Sequence, residues 1–192
     1  MLKLLSAAIL AILPMGALAT PVVSPVIDVP EATGIFVSYH GNGDFVSSNA
    51  WATSQDFPFE GELLAELSLN YDVADPYADA EGFFGLSNGG KTILDGILSA
   101  ITPQIDMLSL MFTEVGGELA AMFGDTLTVK LNFFDALGDD PLAALSEGVS
   151  YDIAYLVEGN VQPAPVPLPA GGLLLLSGLG LLVLRQRRKQ IS

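Results

Sequence analysis

At 192 residues, with a net charge of −15 and no cysteine, the chain has room for one domain of ordinary size and its flanking segments. All 22 acidic residues lie between Asp28 and Glu158, where Lys91 and Lys130 are the only lysines or arginines, so this middle stretch carries −20. Such a field repels nucleic acid and anionic membrane surfaces, and the missing thiols exclude disulfides, cysteine catalysis and thiolate metal sites.

In chain order, Lys3 begins a short basic start and Leu4 to Leu13 form an apolar run that Pro14 breaks. Ala17 and Ala19 flank Leu18 in the small-x-small pattern of a cleavage site, so residues 1–19 are predicted to be a signal peptide cut after Ala19. Residues 20–33 hold Pro21, Pro25 and Pro30 among valines, which predicts an extended leader that packs on nothing.

The exported domain is predicted over 34–160. Ile35, Val37 and Tyr39 alternate with Phe36, Ser38 and His40. Period-two alternation recurs at Ala65, Leu67, Leu69, Tyr71 and Val73, at Leu127, Val129, Leu131 and Phe133, and at Tyr151, Ile153, Tyr155 and Val157. Alternation turns one face to a core and the other to water. Four such strands with Gly/Asp/Pro-rich connections predict a mainly β fold, an antiparallel sandwich or open barrel. From Ile93 to Phe123 the apolar residues step by three and four, with a Thr102-Pro103 cap signal. That predicts a helical insertion around 91–123, with helices at 91–101 and 103–115; two buried strands are the competing reading.

Several residues are candidates for chemistry. Gly85-Leu86-Ser87-Asn88-Gly89 matches the G-x-S-x-G nucleophile elbow, which needs a helix after the serine and a histidine base. The chain's one histidine, His40, precedes the serine, so a turn is the preferred account. His40 has neither a second histidine nor a cysteine to share zinc with, and is predicted to end a strand in solvent. Asp72, Asp75, Asp79 and Glu81 gather around Pro76, and Asp135, Asp139 and Asp140 around Gly138 and Pro141. Calcium takes six to eight such oxygens, which makes it the candidate ligand, yet neither cluster follows the EF-hand spacing and solvated turns are the plainer reading. Trp51, Phe57 and Phe59 beside Asp56 and Glu60 suit either a sugar-binding face or the core.

Residues 161–165 form a Pro-rich linker, and the last 27 residues have three parts. Val166, Pro167, Leu168, Pro169 and Ala170 come first, an uncharged apolar run from Gly171 to Leu184 follows, and Arg185, Arg187, Arg188 and Lys189 close the chain. Counted from Val166, the 19 residues to Leu184 nearly suffice for a transmembrane helix, and the basic cluster would keep the C-terminus cytoplasmic. This tail resembles the VPLPA variant of the PEP-CTERM sorting signals of Gram-negative bacteria. The resemblance implies passage through the secretion translocon, transient anchoring in the inner membrane, and cleavage by an exosortase-type membrane enzyme. It further implies a destination at the cell surface or in an exopolysaccharide or biofilm matrix, and a non-enzymatic domain with no cofactor. The rival expectations are a secreted hydrolase and a tail-anchored periplasmic ligand-binding module.

Overall fold

The computed structural model describes residues 25–57 and 59–161. The expected signal peptide, linker and sorting tail lie outside them. Eight strands follow one another in sequence and in space: β1 (Val26–Tyr39), β2 (Asn42–Trp51), β3 (Leu63–Asp72), β4 (Glu81–Asn88), β5 (Lys91–Gln104), β6 (Met107–Gly116), β7 (Leu127–Phe133) and β8 (Ser150–Gly159). Every neighbouring pair is antiparallel, and β8 returns to β1, so the sheet is a closed barrel. The mainly β expectation holds; the sandwich and the open barrel do not, because closure leaves no sheet edge.

Closure depends on β1 serving two neighbours. Its second half pairs with β2 from Ile35↔Val46 to Tyr39↔Asn42, and its first half pairs with β8 from Val26↔Glu158 to Ile35↔Ser150. Residues 26–32, expected to be an unpacked leader, are therefore barrel strand, with Ile27 and Val29 fully buried. Pro30 is tolerated because the register shifts between Val29 and Ala32, where a bulge needs no donor.

The helical insertion is also corrected. Residues 91–116 are the hairpin of β5 and β6, and Ala120–Phe123 (α1) is the only helix in 91–123. Register shifts between Asp95 and Ile97, and again between Leu98 and Ala100, insert residues into the alternation. The buried positions Leu94 and Leu98 thus fall four apart, which imitates a helical stripe although the backbone is extended. A second short helix, Pro141–Ala144 (α2), lies in the β7–β8 connection.

The inside is filled. Phe45, Leu67, Phe84, Leu110, Phe112, Val129, Ile153 and Tyr155 are among the side chains with essentially no exposure, as suits an eight-stranded barrel whose bore is about one side-chain layer wide. The alternating residues read from sequence at 65–71, 127–133 and 151–157 all point inward. Asp28, Glu66, Asn70 and Asp152 occupy outward positions. A lipid-spanning barrel has the opposite polarity, with an apolar band outside. Among the described residues no helix is long and apolar enough to cross a membrane.

The barrel has two unlike rims. At one, Pro25 and Asn160 bracket the domain: the Gly159 N–H donates to the Pro25 carbonyl at 3.3 Å, so the chain enters and leaves side by side. Phe57, Phe59 and Phe123 of α1 close this rim, with ring centroids 5.9 and 6.1 Å from Phe57. These two phenylalanines are thus core plugs, while Trp51 is 61 % exposed on the outside. Gly117 anchors the β6–β7 connection here with φ +93, and a Cβ on it would stand 2.4 Å from the Ile93 carbonyl oxygen. Gly117→Ala should cost about 2–4 kcal/mol, because it adds backbone strain to an overlap with main chain that cannot step aside. Urea unfolding would read the loss, and a change under 0.5 kcal/mol would show that the loop re-forms freely.

Candidate functional site

The other rim is built from the connections 40–41, 73–80, 105–106 and 134–149, and this is where the acidic clusters meet. Asp72 holds its own loop, accepting the Ala74 N–H at 2.8 Å through Oδ1 and the Asp75 N–H at 3.1 Å through its carbonyl. Asp140 caps α2 by accepting the Ala143 N–H at 3.2 Å, and its Oδ1 also accepts the hydroxyl of Tyr77. That bond ties the β3–β4 loop to the β7–β8 loop, two segments 63 residues apart in the chain. Asp106 accepts the Gly138 N–H at 2.6 Å, and Glu147 accepts the Ser38 hydroxyl at 2.9 Å. Short acceptor side chains supply the partners that loop amides lack.

Asp72, Asp75, Asp79 and Glu81 surround one depression of about 420 Å³, with Asn42 and Asn70 on its side. Asp135 and Asp139 are exposed on the neighbouring loop, and Asp140 is engaged with Tyr77. Among the described residues no group of three or more acidic or histidine side chains is arranged to hold a metal ion. The carboxylates serve instead as turn and cap acceptors and as a fixed negative field. Calcium and sodium at equal ionic strength should therefore raise the melting temperature equally, through screening alone. A calcium-specific rise of several degrees, lost in Asp75→Asn/Asp79→Asn, would mean that the loops close on the ion.

The charge is lopsided. No lysine or arginine lies on the four acidic-rim connections. Of the two cations in the barrel, Lys91 pairs with Glu118 at the opposite rim, and Lys130 meets Glu158 Oε2 at 2.8 Å, two residues from the end of β8.

The elbow pattern is a turn. Ser87 lies in β4, its hydroxyl donates to the Leu64 carbonyl at 3.4 Å, and Gly89-Gly90 at φ +58 and +80 lead straight into β5. No helix follows, and His40 sits at the other rim. His40 and Gly41, at φ 52 and 91, form the two-residue turn between β1 and β2. Both positive φ values fit the turn type whose twist matches a hairpin. The exposed His40 ring packs on Tyr39 with centroids 4.0 Å apart.

Sequence reasoning missed the buried hydroxyls. Ser47 Oγ, Tyr71 Oη and Tyr155 Oη lie inside without a hydrogen-bond partner among the described residues. Burial is the main cause that raises the Tyr71 and Tyr155 phenols far above their ordinary value. Burial and the Asp140 bond do the same for Tyr77. Their positions in apolar alternation marked the first two as core, but nothing local announced their missing partners. No known family matches the chain, and neither a curated protein nor a solved structure resembles it.

Proposed function

We propose that this is an exported, non-enzymatic β-barrel protein, sorted by its C-terminal signal and displayed at the cell surface or in the extracellular matrix of a Gram-negative bacterium. The observation that carries the reading is the three-part tail, with Val166-Pro167-Leu168-Pro169-Ala170 before an apolar run and a basic end. The barrel supports it in two ways. Its bore is packed solid, as a display or scaffold domain requires, and its acidic exterior suits water. In this reading an exosortase-type membrane enzyme cuts at the tail, and the matrix polysaccharide is the environment that the domain enters.

Mass spectrometry of the protein from cells and from medium reads both processing sites together. The extracellular form should lack residues 1–19 and most of 171–192. Pro167→Ala/Pro169→Ala should shift the protein to a membrane-bound, tail-bearing form. Secretion of tail-bearing protein, or indifference to the two substitutions, would refute sorting and leave the tail-anchored periplasmic module as the better reading.

A further inference from the structure

The outer face of β3 and β4 is a trough. Its residues are small where a neighbour would otherwise fill the groove: Ser68 on β3, and Gly85 and Ser87 on β4. Val46 on β2 and Ile97 on β5 rise on either side, 37 % and 46 % exposed. Register places these walls on one line across four strands, through Val46↔Ser68, Ser68↔Phe83 and Phe83↔Ile97. The deeper part, about 480 Å³, is floored by Leu69 and Leu98, and a shallower part of about 140 Å³ continues along the strands past Gly85. From Glu81 to Ser87 the trough runs six residue steps, or about 20 Å. That is the length of some 13 residues of α-helix, and two strand spacings beyond each wall leave about the width of a helix.

Carboxylates stand at both ends and in the middle. Asp44 and Glu81 flank the deep part, and Glu66 pairs with Gly85, which in turn pairs with Asp95. The nearest cation, Lys91, is engaged by Glu118. An apolar trough hemmed by unneutralised acids repels a second copy of this chain and an anionic lipid surface alike. It suits a polypeptide with aliphatic side chains between lysines or arginines.

We propose that the β3–β4 trough is a docking surface for a basic amphipathic segment of another protein, its aliphatic side chains lying between Val46 and Ile97 and its cations meeting Asp44, Glu66, Glu81 and Asp95. The site is independent of how the tail is processed. The test uses the full chain, held by its C-terminal segment in zwitterionic nanodiscs, with empty discs as reference. The probe is a fluorescent 14-residue peptide of leucine and lysine with the leucines on one helical face. Controls are the same composition scrambled and oligolysine of equal charge. The patterned peptide should bind at least tenfold more tightly than either control. Val46→Ser/Ile97→Ser and Glu66→Gln/Glu81→Gln should each weaken it at least tenfold, with unchanged melting temperatures as proof of folding. Equal binding of all three peptides would reduce the surface to diffuse charge and overturn the proposal, as would no binding or insensitivity to the wall substitutions. A concentration-dependent dimer abolished by Val46→Ser/Ile97→Ser would overturn it in favour of a second copy.

Discussion

Phe112→Ala should destabilise the barrel by about 3–5 kcal/mol, enough to consume much of the ~5–15 kcal/mol that holds a domain together. Phe112 projects from β6 into the bore with no exposure, and its ring centroid lies 6.0 Å from that of Phe84 at a 57° tilt. A closed ladder cannot collapse locally on the space left behind, since moving β6 inward would strain its pairings with both β5 and β7. A fall of about 10–20 °C in melting temperature is expected for a domain of this size. Phe84→Ala should act similarly, and the double variant should lose less than the sum by about 0.5–1.5 kcal/mol, the share owed to ring against ring. Additive losses would show that the two rings do not touch in solution.

The second large effect is alkaline unfolding. Tyr71, Tyr77 and Tyr155 all titrate above the ordinary phenol value of 10.0 in the folded chain. For Tyr155 burial is the main cause and the nearby Ser47 hydroxyl offsets part of it. For Tyr71 the charges of Tyr77, Tyr151, Asp44 and Asp140 add to burial. Below pH 10 folded and unfolded chains hold the same phenolic protons, so the full stability is present. Above it the unfolded chain releases protons that the folded chain retains, so stability must fall as pH climbs through the folded values. A steep alkaline transition should follow in circular dichroism, together with the appearance of tyrosinate absorbance. Tyr155→Phe should move that transition upward, and at neutral pH should raise stability by about 1 kcal/mol, since it removes an unpartnered buried hydroxyl. Gradual titration from pH 10 without unfolding would place these phenols in water.

The strands that the sequence displayed plainly are those without interruption. Leu67, Leu69 and Tyr71 keep phase, as do Val129 and Leu131, because no bulge intervenes. The β5–β6 hairpin escaped notice where bulges shift the phase, and the fit of Thr102-Pro103 to a helix start strengthened the wrong reading, although Pro103 sits in β5 opposite Leu108. Closure was illegible for another reason: it needs the proline-bearing start of β1 to find β8, a pairing some 130 residues apart that no local pattern encodes. The acidic loops were readable as clusters, but their joining through Tyr77 and Asp140 is a tertiary event. The trough was invisible for the same reason, since its walls stand on strands β2 and β5, which are not neighbours.

The side-by-side entry and exit of the chain, with Val26 paired to Glu158, also fixes how the domain would bear mechanical load. Force applied between the two chain ends meets the β1–β8 ladder one hydrogen bond at a time, as a zipper opens, and should yield readily. Force applied between the C-terminal end and a partner held at the acidic rim runs along the strands and loads the rungs together in shear. A barrel tethered by one rim and gripped at the other is thus pulled along its strong axis, and single-molecule extension with handles at Ser192 and His40 against handles at the two chain ends would show the difference as a much higher rupture force for the first pair.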